Sequence, residues 1–148
     1  MTKPFALQPI LELMQTRADD ATRRLATLIA AEQDARSKLQ MLQEYRDEYA
    51  GRFRAAAQNG LGQREWRNYQ EFLDRLDEAV GHQRDAVRRQ EQQTAAGQSD
   101  WQQQRKKLKA FETLSHRHNV SEMARDQKRD QKVQDEFAAR RGEEDEAR

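Results

Sequence analysis

Residues 53–73, FRAAAQNGLGQREWRNYQEFL, hold the one strong chain breaker of this 148-residue sequence and the flanks of a pattern that runs away from it in both directions. Within it, Gln58-Asn59-Gly60-Leu61-Gly62 supplies residues able to take the positive φ that ends a helix and reverses a chain. Before the breaker, positions 11, 14, 18, 21, 25, 28, 32, 35, 39, 42, 46, 49, 53 and 56 alternate in steps of three and four. Twelve of these 14 carry Leu, Met, Ala, Tyr or Phe, and Glu32 and Arg46 are the exceptions. After it, the alternation resumes through Trp66, Tyr69, Leu73, Leu76, Val80, Gln83, Val87, Gln90, Thr94, Gly97, Trp101, Gln104, Leu108 and Phe111. A 3.5-residue repeat held this long is a coiled-coil signature. The ladders mirror one another about residue 61, and the numbers in every facing pair add to 122, from Ala56 with Trp66 out to Leu11 with Phe111. One chain therefore holds both strands. The expected fold is all-α, an antiparallel two-helix coiled-coil hairpin with a longer second helix.

The expected boundaries are helix one over about 4–57, a turn at 58–63 and helix two over about 64–140, all in a single domain spanning 1–148. Pro4 and Pro9 suit a first helical turn and disfavour an interior. At 1.5 Å per residue, helix one would extend about 70 Å and helix two more than about 100 Å. Residues 115–148 would then be a charged overhang without a partner in the chain, its end not necessarily ordered. Across the seam, Ala21 faces Trp101, Ala35 faces Val87, Ala56 faces Trp66 and Gly97 faces Leu25, so small residues meet large ones. Glu32 faces Gln90 in a polar layer that costs stability and fixes register. Arg46 can reach past Leu76 to solvent. Core packing alone accounts for all of these positions.

Composition suits a seam rather than a globular core. Charged residues make up 36% and hydrophobic residues 35%, with only six Gly and two Pro; a two-helix seam needs only about two apolar positions in seven. A disordered chain of this polarity has no reason to keep a heptad. The absence of cysteine excludes disulfide and thiol chemistry and fits a reducing, cytoplasmic setting. No apolar run approaches the roughly 18–20 residues that cross a bilayer.

The net charge of +1 conceals a gradient. Residues 105–132 hold nine basic side chains, Arg105, Lys106, Lys107, Lys109, Arg117, Arg125, Lys128, Arg129 and Lys132, against four acidic ones, and Glu143, Glu144, Asp145 and Glu146 then close the chain. A basic segment implies an anionic partner; a solvated face laced with i,i+4 pairs explains the same residues.

Catalytic chemistry is not expected. His116 and His118 are two apart, so on a helix they point to different sides and cannot share a metal. His82 lies beside the seam. Gly60-Leu61-Gly62 lacks the preceding strand of a phosphate loop, and a two-helix hairpin offers no pocket to desolvate a carboxylate. The reading is a non-enzyme with no catalytic residue, cofactor or metal.

A second stripe borders the seam near the turn: Lys38, Leu42, Tyr45 and Tyr49 on helix one, and Phe72, Leu76, Ala79 and Gln83 on helix two. Their facing numbers add to 121, one less than the core register. Tyr45 and Phe72 fall outside the ladder and widen it into an exposed aromatic-aliphatic patch of the kind that marks protein contacts; a slightly wide core is the plainer reading.

Several segments resemble the flagellar type III export protein family FliJ. They are Leu42-Gln43-Glu44-Tyr45-Arg46-Asp47-Glu48-Tyr49, Asn68-Tyr69-Gln70-Glu71-Phe72-Leu73, the Asn59-Gly60 turn, and Asp130-Gln131-Lys132 followed by Asp135-Glu136-Phe137-Ala138. The resemblance covers nearly the whole chain in order and spacing. It implies a hairpin similar to the central stalk of rotary ATPases and a non-enzymatic part of the flagellar export apparatus, acting as central stalk of the export ATPase ring, coupling it to the membrane export gate and escorting chaperones. The implied partners are the hexamer of the export ATPase (FliI), the cytoplasmic domain of the membrane export gate (FlhA) and export chaperones, with no nucleic acid. The implied place is cytoplasmic, peripheral to the membrane through those partners. Carried over by position, the export-gate patch is Leu42, Tyr45, Tyr49, Phe72, Leu76 and Ala79; the family often has glutamine where this chain has Lys38. The overhang, with Arg117, Arg125, Lys128, Arg129 and Lys132, would face the ATPase ring.

Three rival readings stand beside this one. The first is the equivalent stalk of a virulence secretion system. The second is a basic nucleic-acid- or ribosome-binding coiled coil; here the ladder already buries Trp101 and Phe111, leaving no aromatic to stack on bases. The third is a homodimer that pairs each long helix with another chain.

Overall fold

The computed structural model describes residues 3–148, and two helices account for nearly all of them: α1 over Gln8–Gln58 and α2 over Gln63–Glu146. They pack against each other as a helical hairpin. α1 starts at Gln8 rather than near Pro4, because Pro4-Phe5 leads into a turn closed by the Gln8 N–H donating to Phe5 O at 3.0 Å. Pro9 then falls in the first helical turn, where its missing N–H costs nothing. α2 passes the expected end near 140 and stops at Glu146, since Ala138, Ala139, Arg140, Arg141 and the glutamates after Gly142 are good helix formers.

Gly60 makes the reversal. Its φ of +90° is the only positive value among the described residues, and its N–H donates to Ala57 O at 3.2 Å as α1 ends. A side chain at this φ would crowd its own backbone, so glycine suits it.

The chain divides into two compact units, one of Asp20–Trp101 and one of residues up to Asp19 with Gln102–Arg148. In the 20–101 unit the buried apolar residues are Ala21, Ala35, Leu76, Val80 and Val87, all ladder positions. The register follows the mirror rule. Thr94 Oγ1 donates to Leu28 O at 3.3 Å, and the rings of Phe53 and Tyr69 lie 5.4 Å apart.

Polar ladder residues have partners across the seam: Gln83 Nε2 donates to Ala35 O at 2.9 Å, as Thr94 does to Leu28 O. Each uses a helix carbonyl's second lone pair, so a polar side chain can sit in the seam. Gln90 differs, because its Oε1 is buried without a hydrogen bond. Glu32 turns sideways to Arg36, which also reaches Glu91 on α2. Arg46 reaches solvent as its length allows and donates to Asp77 at 2.7 Å.

Gly97 does face α1, but Leu28 is its tighter neighbour and Leu25 only touches. Trp101 donates its indole N–H to Thr22 Oγ1 at 3.0 Å beside the fully packed Ala21. Trp66 departs from the expected layer: it is 45% exposed and stacks on Phe53, 4.9 Å between ring centres.

In the other unit Leu11, Met14 and Ala18 are buried, and so is the carboxylate of Glu122. This corrects the expectation that everything after residue 114 is unpaired. Residues 3–5, before α1, lie along the seam face of α2, which has turned polar at Ser115, His118 and Glu122. The Lys3 backbone N–H donates to Glu122 Oε2 at 3.4 Å, His118 Nε2 donates to Lys3 O at 2.9 Å, and Phe5 packs on the His118 ring at 5.5 Å. Three backbone and ring contacts thus extend the pairing one helical turn beyond His118.

Candidate interaction surfaces

Two surfaces stand out, one in each unit. In the 20–101 unit the six aromatic side chains near the turn form a continuous cluster. Tyr49 is its centre, 4.5 Å from Phe72 and 5.5 Å from Tyr69, while Phe53 bridges Tyr69 and Trp66. Helical spacing places them: 45, 49 and 53 on α1 are each four apart, as one face requires. Burial among the rings, with the neighbouring phenols Tyr69 and Tyr45, pushes the Tyr49 hydroxyl's pKa up, and Arg52 opposes it.

Tyr45 meets Phe72 edge-on at 6.4 Å and remains 47% exposed. It borders a groove of about 680 Å³ lined by Lys38, Met41, Leu42, Glu44, Tyr45, Glu48 and Gln83. Of the patch residues read from sequence, Leu42, Tyr49, Phe72 and Ala79 are half-buried, and only Tyr45 is open. Leu76 is buried in the seam at 8% exposure and offers little to a partner. Met41, 68% exposed beside Leu42, belongs to the groove and was missed. It lies on neither stripe, and nothing but its helical adjacency could have marked it.

The second surface lies on α2. Arg125, Lys128 and Arg129 come together with Lys3 around Glu122 in a groove of about 350 Å³. Positions 125, 128 and 129 share a helix face by their i,i+3 and i,i+4 spacing. Arg125 pairs with Glu122 at 3.2 Å and Arg129 with Asp126 at 2.7 Å. Arg117 and Lys132 are exposed but outside the groove's lining. Among the described residues no set of three His, Asp or Glu is placed to hold a metal, and no helix is long and apolar enough to cross a membrane.

A hairpin of two long helices, with no strand among the described residues, is the fold that the sequence resemblance implies. The model of the flagellar FliJ protein family matches residues 2–146. The chain belongs to the FliJ family. Two relatives are the flagellar FliJ proteins of Salmonella typhi and Escherichia coli strain K12, 30% and 29% identical over 140 residues, each alignment covering 95% of both chains. FliJ proteins are non-enzymatic components of the flagellar export apparatus, and this chain is one of them.

Proposed function

We propose that this FliJ protein is the central stalk of the flagellar export ATPase ring, couples that ring to the cytoplasmic domain of the membrane export gate, and escorts export chaperones. The gate-facing surface is the patch of Leu42, Tyr45, Tyr49, Phe72, Leu76 and Ala79. The ring-facing surface is the basic stretch of Arg117, Arg125, Lys128, Arg129 and Lys132. In this reading the protein works in the cytoplasm and meets the membrane through its partners.

The observation that carries the reading is Tyr45 held half-exposed against the edge of Phe72, at the border of an apolar groove near the turn. A large aromatic in that setting supplies a rigid anchor that loses little entropy on docking. The basic stretch adds fixed charge that speeds encounter with an acidic surface.

Titration of the purified export-gate domain against the wild type and Phe72→Ala tests the patch. The reading expects affinity to fall about tenfold or more, as hot-spot aromatics do, with helicity kept. Phe72 is preferred to Leu76 because Leu76 also holds the seam. Unchanged affinity in a fully helical variant would remove the patch from the gate.

A further inference from the structure

The geometry points to Lys3, before α1, as part of a binding site: it completes, with Arg125, Lys128 and Arg129, a groove that takes a carboxylate-bearing segment of an acidic protein partner. This rests on the reading that the 117–132 stretch engages the ATPase ring, and it adds a residue 114 or more positions away in sequence.

Lys3 is fixed rather than loosely near. Its N–H donates to Glu122 Oε2, its carbonyl accepts from His118 Nε2 at 2.9 Å, and Phe5 packs on the same imidazole. His118 is therefore a positioning residue, holding Lys3 over α2. Glu122 is 3% exposed, and its second oxygen accepts from Arg125 Nη1 at 3.2 Å. This buried carboxylate ties the segment and Arg125 to one another. Around it the charges do not balance. The groove is lined by four basic side chains and one acidic one. Arg125 pairs with Glu122 and Arg129 with Asp126, whereas the ammonium groups of Lys3 and Lys128 form no ion pair among the described residues.

Two lysines outside any ion pair, in one groove with two arginines, attract anions. The acidic floor selects among them. Glu122 in the groove repels the several charges packed on a polyphosphate more strongly than side-chain carboxylates that carry one charge each and are spread along a chain. A protein segment carrying Asp and Glu at helical spacing fits this pattern best.

The probe is a fluorescein-labelled hexaglutamate peptide, titrated at low ionic strength into the full chain and three charge reversals of equal size: Lys3→Glu, Lys128→Glu and, as control, Arg23→Glu, a 79%-exposed site in the other unit. Circular dichroism checks that each variant stays helical. Lys3→Glu and Lys128→Glu should each weaken binding about fivefold or more, and Arg23→Glu by less than about twofold, as loss of a near-contact charge pair implies. His118→Ala should weaken it too, although it removes no cation from the groove. Equal weakening by all three reversals, wild-type binding by Lys3→Glu, or displacement of the peptide by inorganic pyrophosphate at lower charge concentration would overturn the proposal. Stimulation of the export ATPase is read on the same variants. If Lys3→Glu loses the peptide but stimulates like the wild type, the acidic-segment groove stands and the ring reading falls.

Discussion

The ring of Tyr49 lies 4.5 Å, centre to centre, from that of Phe72, which places a phenol in the middle of an aromatic cluster. Burial there raises the Tyr49 pKa, so the folded state holds the proton more tightly than the unfolded chain does. The group's contribution is then fully present below the unfolded tyrosine value of about 10 and is lost as pH rises through the folded value. Thermal melts across the alkaline range should show stability falling above about pH 10 in the wild type and falling less in Tyr49→Phe. Equal alkaline losses would show that Tyr49 ionises as freely folded as unfolded.

Gly97 is a packing glycine. A methyl group there would meet Leu28 Cδ1, the mobile end of a side chain, so Gly97→Ala should be nearly neutral. Leu28 rotates aside, and alanine's helix preference of about 1 kcal/mol offsets the repacking. Gly97→Leu has no such escape and should cost about 1–3 kcal/mol, read by urea denaturation. A Gly97→Leu variant as stable as the wild type would refute close packing at this layer.

The buried Oε1 of Gln90 has no hydrogen-bond partner. Replacing it with leucine removes an unsatisfied polar atom and adds apolar contact, so Gln90→Leu should stabilise by about 1 kcal/mol. The same urea measurement decides it, and a loss of stability would mean that the amide is satisfied in solution.

The turn depends on one φ value. Gly60→Val forces a β-branched residue to +90° and should cost about 1–2 kcal/mol, lowering the melting temperature while leaving helical content unchanged below it. No change would mean that the turn relaxes to another conformation.

The seam was legible because its cause is periodic. Every position of the first ladder, from Leu11 to Ala56, is buried or half-buried, including Glu32 and Arg46. Even Thr94 and Gln83, weak seam residues by composition, kept the register by donating to carbonyls on α1.

What was not legible has no period. Lys3, Pro4 and Phe5 carry no repeat, and their docking on His118 and Glu122 joins residues more than a hundred positions apart. The second helix therefore read as unpaired where it is in fact covered. Trp66 satisfied the ladder rule yet stands half in solvent, packed on Phe53 and donating its indole N–H to Gln70 on its own helix. Exposure was the other blind spot: spacing alone could not tell open Tyr45 from buried Leu76.

The stalk assignment is tested most directly by the ATP hydrolysis rate and hexamer fraction of the cognate flagellar export ATPase, with and without the purified chain. The account predicts that the full chain promotes hexamers and raises the rate, and that the combined Arg125→Glu, Lys128→Glu and Lys132→Glu variant, still helical, does neither. A full chain that neither assembles nor stimulates the ATPase, or a charge-reversed chain that works as well as the wild type, would contradict it.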